Sequence, residues 1–417
     1  MLKNYLPYLR DATLRRLCLS SFVLGLTYSL TLPYLPVYLK TDLGFSGILT
    51  GLLLTGFSAA SIVCGTFLSR VADRRGGHLG LLRLCSLAGV GGYAGLAFTS
   101  NWALLLLLGM TLVAFASVGF TMLFAMARAY CDRLGDGDTV MRMNIIRACF
   151  SLAWVAGPSF GAFLWARFEL RAVFVAAAAC FLLLWLLVAF QKAENTVAAE
   201  ESAGGTTERI SMLFVVGIGG FFLLMAVANS ISMSLLPIYL REDHGIDPEW
   251  IGILLGFAAL VEIPLMVMVA ALCRRYTKLT VIVGGVLVTC GYYLTLAFAE
   301  GIPTFLFAQA LSALSIAIIM GIGMSYVQDM AGSRVSSGTN VYNSASNIGN
   351  VVAGLLFGAL LEVARYDRVY LLCAAGCLVA LSVLIVFSRL HRPPTAPPVP
   401  APAVAEPVAA PLPEESR

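Results

Sequence analysis

Four asparagines, Asn340, Asn343, Asn347 and Asn350, recur at steps of 3, 4 and 3 within an apolar stretch, a spacing that sets four carboxamides on one face of a helix. A carboxamide carries donors and an acceptor together, which suits a ligand built of hydroxyl groups. Turned toward hydrocarbon, these groups are left unsatisfied, so the stripe must face protein or a wet cavity. Interhelical hydrogen bonding, at about 1 kcal/mol per group, is the structural use that competes with ligand binding. Tyr28, Asn229, Tyr326 and Gln328 also lie in or beside apolar stretches. With Asn343 and Asn347 they form a candidate binding set for a small neutral polyol or glycoside, whose hydroxyls need fixed donors and acceptors.

Two ionisable residues fall deep within apolar stretches, Arg147 and Glu262, the latter followed by Ile263-Pro264. Counted along a helix, they lie about 10 and 15 Å from the same end. A carboxylate at such depth is costly unless paired or protonated, which makes Glu262 a candidate proton carrier. Arg147 is then its alternating partner, approaching when the site opens to the cytoplasm and withdrawing when it opens outward. A fixed ion pair is the structural alternative. Asp329, closer to a helix end, is the fallback carrier.

Other chemistries lack the residues they require. The three histidines, His78, His244 and His391, are far apart, and no CxxC occurs. No metal, cofactor or catalytic residue is expected, and a polytopic membrane transferase, which would need acidic or histidine clusters at a membrane face, is disfavoured. Ten cysteines, most inside apolar stretches, read as small buried hydrophobes. With 27 basic against 23 acidic residues and no like-charge block, nucleic acid is not an expected partner.

The elements that position these groups follow from composition. Of the 417 residues 59% are hydrophobic and only 12% charged, with mean hydropathy +0.87, where soluble domains carry about 25% charged residues. About 20 apolar residues cross a bilayer, so the expected class is an all-α membrane protein. Apolar windows place six spans near 16–39, 46–69, 79–99, 102–127, 141–166 and 169–190. Six more follow near 210–240, 249–272, 279–299, 302–328, 339–362 and 368–388.

Residues 1–190 and 210–390 are then two halves, 191–209 is a polar linker, and 391–417 is an extended Pro/Ala-rich tail. No cleaved signal peptide is expected. With the N-terminus cytoplasmic, only Lys40, Arg167, Arg171, Arg241, Arg365 and Arg368 fall outside, so both termini are expected in the cytoplasm and the protein in the cytoplasmic membrane.

An internal repeat joins the halves. Leu35-Pro36-Val37-Tyr38-Leu39 and Asp42, Gly44 and Gly51 recur, with one conservative change, as Leu236-Pro237-Ile238-Tyr239-Leu240 and Asp243, Gly245 and Gly252, all at an offset of 201. Later the offset is 197, carrying Asp132 onto Asp329, Gly157 onto Gly354 and Gly161 onto Gly358. A parallel repeat of six spans about an axis normal to the membrane is the major facilitator arrangement, with its site at the midplane between halves. The cavity is then expected to be lined by spans one, four, seven and ten, flanked by five, eight and eleven.

Two further motifs resemble that superfamily. Ser69 to His78, with Asp73, Arg74 and Gly76, is similar to its G-x-x-x-D-R-x-G-R-R loop, with Ser for the first Gly and Gly77-His78 for the basic pair. Gly157-Pro158 and Gly161 resemble the G-x-x-x-G-P-x-x-G-G motif of proton-coupled exporters. With Arg128 these make Asp73, Arg74, Gly157 and Pro158 gating candidates.

Several blocks resemble the sugar efflux transporters of the superfamily: Phe124-Ala125-Met126-Ala127-Arg128, Arg147 with Ser151 to Trp154 and Gly157-Pro158, Glu262-Ile263-Pro264, Gly321 to Met324 leading to Gln328-Asp329, and Tyr342, Ser346, Gly349 and Ala353-Gly354. The resemblance implies export of sugars or glycosides in exchange for protons by a lipid-embedded monomer. A basic residue is usual in that family where this chain has Asn347. A multidrug/proton antiporter, which shares the span-five motif, is the competing reading.

Overall fold

The computed structural model describes residues 11–75, 77–134, 138–191, 211–332 and 334–390, without the side chains of Asp73 and Arg75. The expected linker beyond Gln191 and the Pro/Ala-rich tail lie outside the described residues, as do Gly76 and the Asp73 side chain.

Twelve helices are long and apolar enough to cross a membrane. In the first half they are α1 (Ala12–Asp42), α2 (Gly47–Ala72), α3 (His78–Phe98), α4 (Trp102–Arg133), α5 (Thr139–Phe168) and α6 (Arg171–Ala189). In the second they are α7 (Met212–Glu242), α8 (Pro248–Leu272), α9 (Lys278–Ala297), α10 (Ile302–Ala331), α11 (Val335–Val363) and α12 (Tyr366–Leu390). The expected spans fall on these helices one for one, with ends a few residues longer where polar caps extend the helix past the apolar run. Asp11 accepts from the Thr13 N–H at 2.9 Å at the start of α1, and Asn101 accepts from Ala103 and Leu104 at the start of α4. With twelve crossings the described chain begins and ends on one side, the near face. The short turns after α1, α3, α5, α7, α9 and α11 lie on the far face.

The repeat seen in sequence is a repeat of structure. Tyr38 Oη donates to the Leu96 carbonyl at 3.0 Å, and Tyr239 Oη donates to the Leu296 carbonyl at 3.1 Å. Gly44 and Gly245 turn the chain after α1 and α7 at φ +65° and +62°, a conformation that glycine adopts without strain. In each half the third and sixth helices pack together away from the other half. Phe181 of α6 lies over Gly89 of α3 and stacks on Tyr93 at 5.4 Å, while the Cys290 thiol of α9 points at the Ala374 carbonyl of α12. Leu184 of α6 is fully buried.

The halves meet chiefly along two helix pairs, α2 with α11 and α5 with α8, with a smaller contact between the Leu35–Val37 segment of α1 and α7. Both main contacts are built on glycine and lie toward the far face. A Cβ on Gly51 of α2 would stand 2.6 Å from both the Gly354 carbonyl and the Gly358 Cα of α11. Gly252 of α8 faces Ala162 and the Pro158 carbonyl of α5, and Ser159 Oγ donates to the Gly252 carbonyl at 3.2 Å. Close backbone approach through small residues is how apolar helices pack without a hydrophobic driving force.

Candidate transport site

The carboxamide stripe of α11 continues along the same helical face through Gly354, Gly358 and Leu361, at further steps of 4, 4 and 3. Those three residues touch Gly47, Gly51 and Thr55 of α2. The stripe therefore points at the first half, and where the glycine contact ends and the halves part, Asn340, Asn343, Asn347 and Asn350 are exposed. Exposed carboxamides on a face aimed at the opposite half line a cleft that opens toward the near face. Ser230 Oγ of α7 donates to Asn350 Oδ1 at 2.6 Å and fixes the deepest member. Asn229, beside it, is half-buried on α7.

The other proposed binding residues are not all presented alike. Tyr28 Oη donates to the Ser117 carbonyl of α4 at 2.9 Å, so its hydroxyl is engaged and its ring is what it offers. Tyr326 of α10 is only 5% exposed, and Gln328 Nε2 donates to Thr339 Oγ1 of α11 at 3.2 Å. The tenth helix thus contributes less to the cleft than the repeat suggests, because its last turns pack against α11.

Arg147 and Glu262 sit on corresponding faces of their helices. On α5, Phe150, Ala153 and Gly157 face α1, while Val155, Ser159 and Ala162 face α8. At about 100° per residue, Arg147, Asn144 and Ser151 fall between these faces, and the exposed apolar Phe160 and Phe163 occupy the opposite side. On α8 the exposed Leu260, Val267 and Met268 mark the lipid side, and Glu262 lies opposite them, half-buried.

The structure forms no Arg147–Glu262 ion pair, and among the described residues Glu262 has no hydrogen-bonding partner. In this conformation, closed at the far face, the expected approach of Arg147 has not occurred. α5 and α8 touch through Val155 and Gly256, and Arg147 and Glu262 lie about 12 and 9 Å further along their own helices toward the near face. Asp329 already has a cation: Lys278 Nζ of α9 lies 2.5 Å from its Oδ2 and also donates to Ser325 Oγ.

Of the gating candidates, Arg128 pairs with Asp132 one turn on at 3.4 Å, both well exposed on the near face, a geometry worth at most a few tenths of a kcal/mol. Arg74 is exposed at the end of α2. The sequence repeat aligns Gly157 with Gly354, but the two are used differently. Gly157 packs against Ser29 of α1 within its own half, and its neighbour Pro158 takes the contact across halves while its carbonyl accepts from Tyr34 Oη at 2.6 Å.

One contact at the far face had no signal in the sequence. Glu362, at the end of α11, accepts the Gly47 N–H at 2.5 Å and the Ile48 N–H at 3.4 Å, the first donors of α2 in the other half. Ser46 Oγ accepts the Leu49 N–H at 3.2 Å, so side chains from both halves cap one helix. The repeat does not reproduce this. Pro248, which has no N–H, stands where Gly47 would recur, and Trp165 stands where Glu362 would.

Two open basins, of about 850 and 510 Å³, also lie at the far face, each within one half. The larger holds Glu242, Asp243, Glu300 and Asp367 with Arg365 and His244, and burial raises the Asp243 carboxyl above its ordinary range. Neither basin includes the cleft.

A twelve-helix bundle of two repeated halves around a polar cleft is a membrane transporter architecture, and the comparisons agree. The family model described as Major Facilitator Superfamily matches residues 17–299 and 216–414, and the chain belongs to that superfamily. Within it, the chain is 30% identical over 387 residues to sugar efflux transporter C of Escherichia coli K12, covering 91% of this chain and 96% of that one. Quinolone resistance protein NorA of Staphylococcus aureus is 23% identical over 382 residues, covering 89% and 95%. A crystal structure of a point mutant of the nucleoside transporter NupG superposes with a TM-score of 0.81 at 15% identity, covering 90% of this chain and 99% of that one. The chain is a multi-pass membrane transporter and belongs with the sugar efflux transporters of this superfamily.

Proposed function

We propose that the chain exports sugars or glycosides from the cytoplasm across the inner membrane in exchange for protons, as a monomer, by opening its cleft alternately to the near and far faces. The observation that carries this reading is the carboxamide stripe, exposed on the α11 face that turns toward the other half. The 30% identity to a sugar efflux transporter over nearly the whole chain supports the same substrate class. The basic residues gathered at the near face support its being cytoplasmic. Asn343 and Asn347, with Asn229 and Tyr28, hold the substrate. Glu262 carries the proton, taking it up when the far face opens and releasing it to the cytoplasm when the near face does, with the Arg147 charge on the opposing wall of the cleft.

Efflux from vesicles preloaded with labelled glycoside, compared with vesicles preloaded with a lipophilic cationic dye, tests the reading. Proton-driven movement of the glycoside and not the dye supports it. Movement of the dye alone assigns the chain instead to drug export, the reading favoured by its likeness to a quinolone resistance protein.

Closure of the far face in this cycle depends in part on Glu362. Replacing it with alanine uncaps α2 and removes a charge–dipole contact, together worth about 1 kcal/mol, or a roughly fivefold shift toward the far-open state. A single cysteine at Thr55, in a background lacking the native thiols, should be labelled correspondingly faster from the far side in Glu362→Ala. An unchanged labelling rate shows that the glycine contacts alone hold the far face shut.

A further inference from the structure

The wall of the cleft opposite the carboxamides is aromatic. Phe120 and Phe124 of α4 lie 4.6 Å apart by ring centroid, and Phe150 of α5 meets Phe120 edge-on at 5.1 Å and Phe124 at 6.3 Å. The Tyr28 ring, its hydroxyl committed to the Ser117 carbonyl, closes the group at 6.1 Å from Phe150. Four rings from three helices thus form one cluster, and Phe120 is 40% exposed at its edge.

Two observations place that edge in the cleft and not against lipid. On α4, Phe120 and Phe124 share a face with Ser117, Thr121 and Arg128, of which Thr121 and Arg128 are exposed, while Gly119 on the other side packs toward α3. On α5, Phe150 is the member of the α1-packing face nearest the exposed Arg147, about 60° away around the helix. An exposed Arg within a span marks water, not hydrocarbon. The depths also agree. Counted from the near ends of their helices, Phe150 and Phe120 lie about 16 and 20 Å in, and Asn347 and Asn350 about 18 and 23 Å in.

We propose that Phe120, Phe124 and Phe150 form a stacking platform that sets substrate specificity, taking the apolar C–H face of a pyranose ring while Asn343 and Asn347 bond its hydroxyls from the other half. This rests on the export reading above and extends it to a cyclic, flat-faced sugar. A pyranoside carries hydroxyls around its rim and C–H groups on its faces, so one ring engages both walls at once. An open-chain alditol offers comparable hydroxyls but no such face, and it gains nothing from the platform.

The experiment compares binding of methyl β-D-glucopyranoside and of glucitol to the purified full-length protein by titration calorimetry, in the wild type and in Phe120→Leu and Phe150→Leu. Leucine keeps the volume apolar and removes the flat ring. Each variant is expected to weaken glucoside binding at least fivefold and glucitol binding less than twofold, and Phe150→Tyr, which keeps a ring, should restore glucoside affinity. Equal losses for both ligands, unchanged glucoside affinity, or failure of Phe150→Tyr to restore it overturns the platform while leaving the export reading intact. A wild type that binds neither compound overturns the export reading and the platform together.

Discussion

Asn343→Ala combined with Asn347→Ala is expected to lower glycoside efflux roughly 5- to 150-fold. Each carboxamide supplies one or two hydrogen bonds to substrate hydroxyls, and losing those bonds in a wet cleft costs about 0.5–1.5 kcal/mol per group, or about 1–3 kcal/mol for the pair. Both side chains are exposed and make no hydrogen bond with their own half, so the fold does not depend on them. The loss should therefore appear in the concentration dependence of efflux, with the protein still expressed and thermally stable. Asn350 behaves differently, because Ser230 holds it and its removal loosens the α7–α11 contact. If the double variant keeps full glycoside efflux and loses dye efflux, the carboxamides serve another substrate and the drug reading takes over.

The second large effect concerns coupling. Glu262→Gln should abolish uphill, proton-driven efflux altogether while leaving downhill exchange of substrate within a few-fold of wild type. Glutamine reproduces the shape and neutrality of a protonated acid, so the conformational cycle continues, but no proton is bound or released. Asp329→Asn should leave uphill transport largely intact, since the Asp329 carboxylate is already engaged by Lys278 in its own half. Measured accumulation ratios decide between the two. Uphill transport surviving in Glu262→Gln and lost in Asp329→Asn moves proton coupling to α10 and its Lys278 pair.

Much of the architecture was legible in the chain because a bilayer leaves few solutions. Apolar runs long enough to span hydrocarbon must be helices, since every backbone group needs an internal partner, and those runs alone placed all twelve spans. The repeat of Leu-Pro-x-Tyr-Leu defined two halves because equivalent side chains do equivalent work, as the matching Tyr38 and Tyr239 hydrogen bonds demonstrate. The period of the α11 asparagines likewise fixed a common face, which is a local property of a helix.

What the chain could not specify was how those faces meet. Which side of α11 looks at the other half follows from the glycine contacts with α2, and a contact between residues about 300 apart leaves no local period to read. For the same reason the far-face cap stayed hidden: Glu362 is bound by backbone N–H groups of Gly47 and Ile48, which every residue but proline carries and no sequence pattern distinguishes. The aromatic platform was equally silent, since Phe120, Phe124 and Phe150 read as ordinary apolar residues until two helices bring their rings together. Arg147 and Glu262 mark the same limit. Their depth came from counting residues along single helices, but whether they pair depends on how α5 and α8 are set against each other, a relation between helices that only the tertiary structure decided.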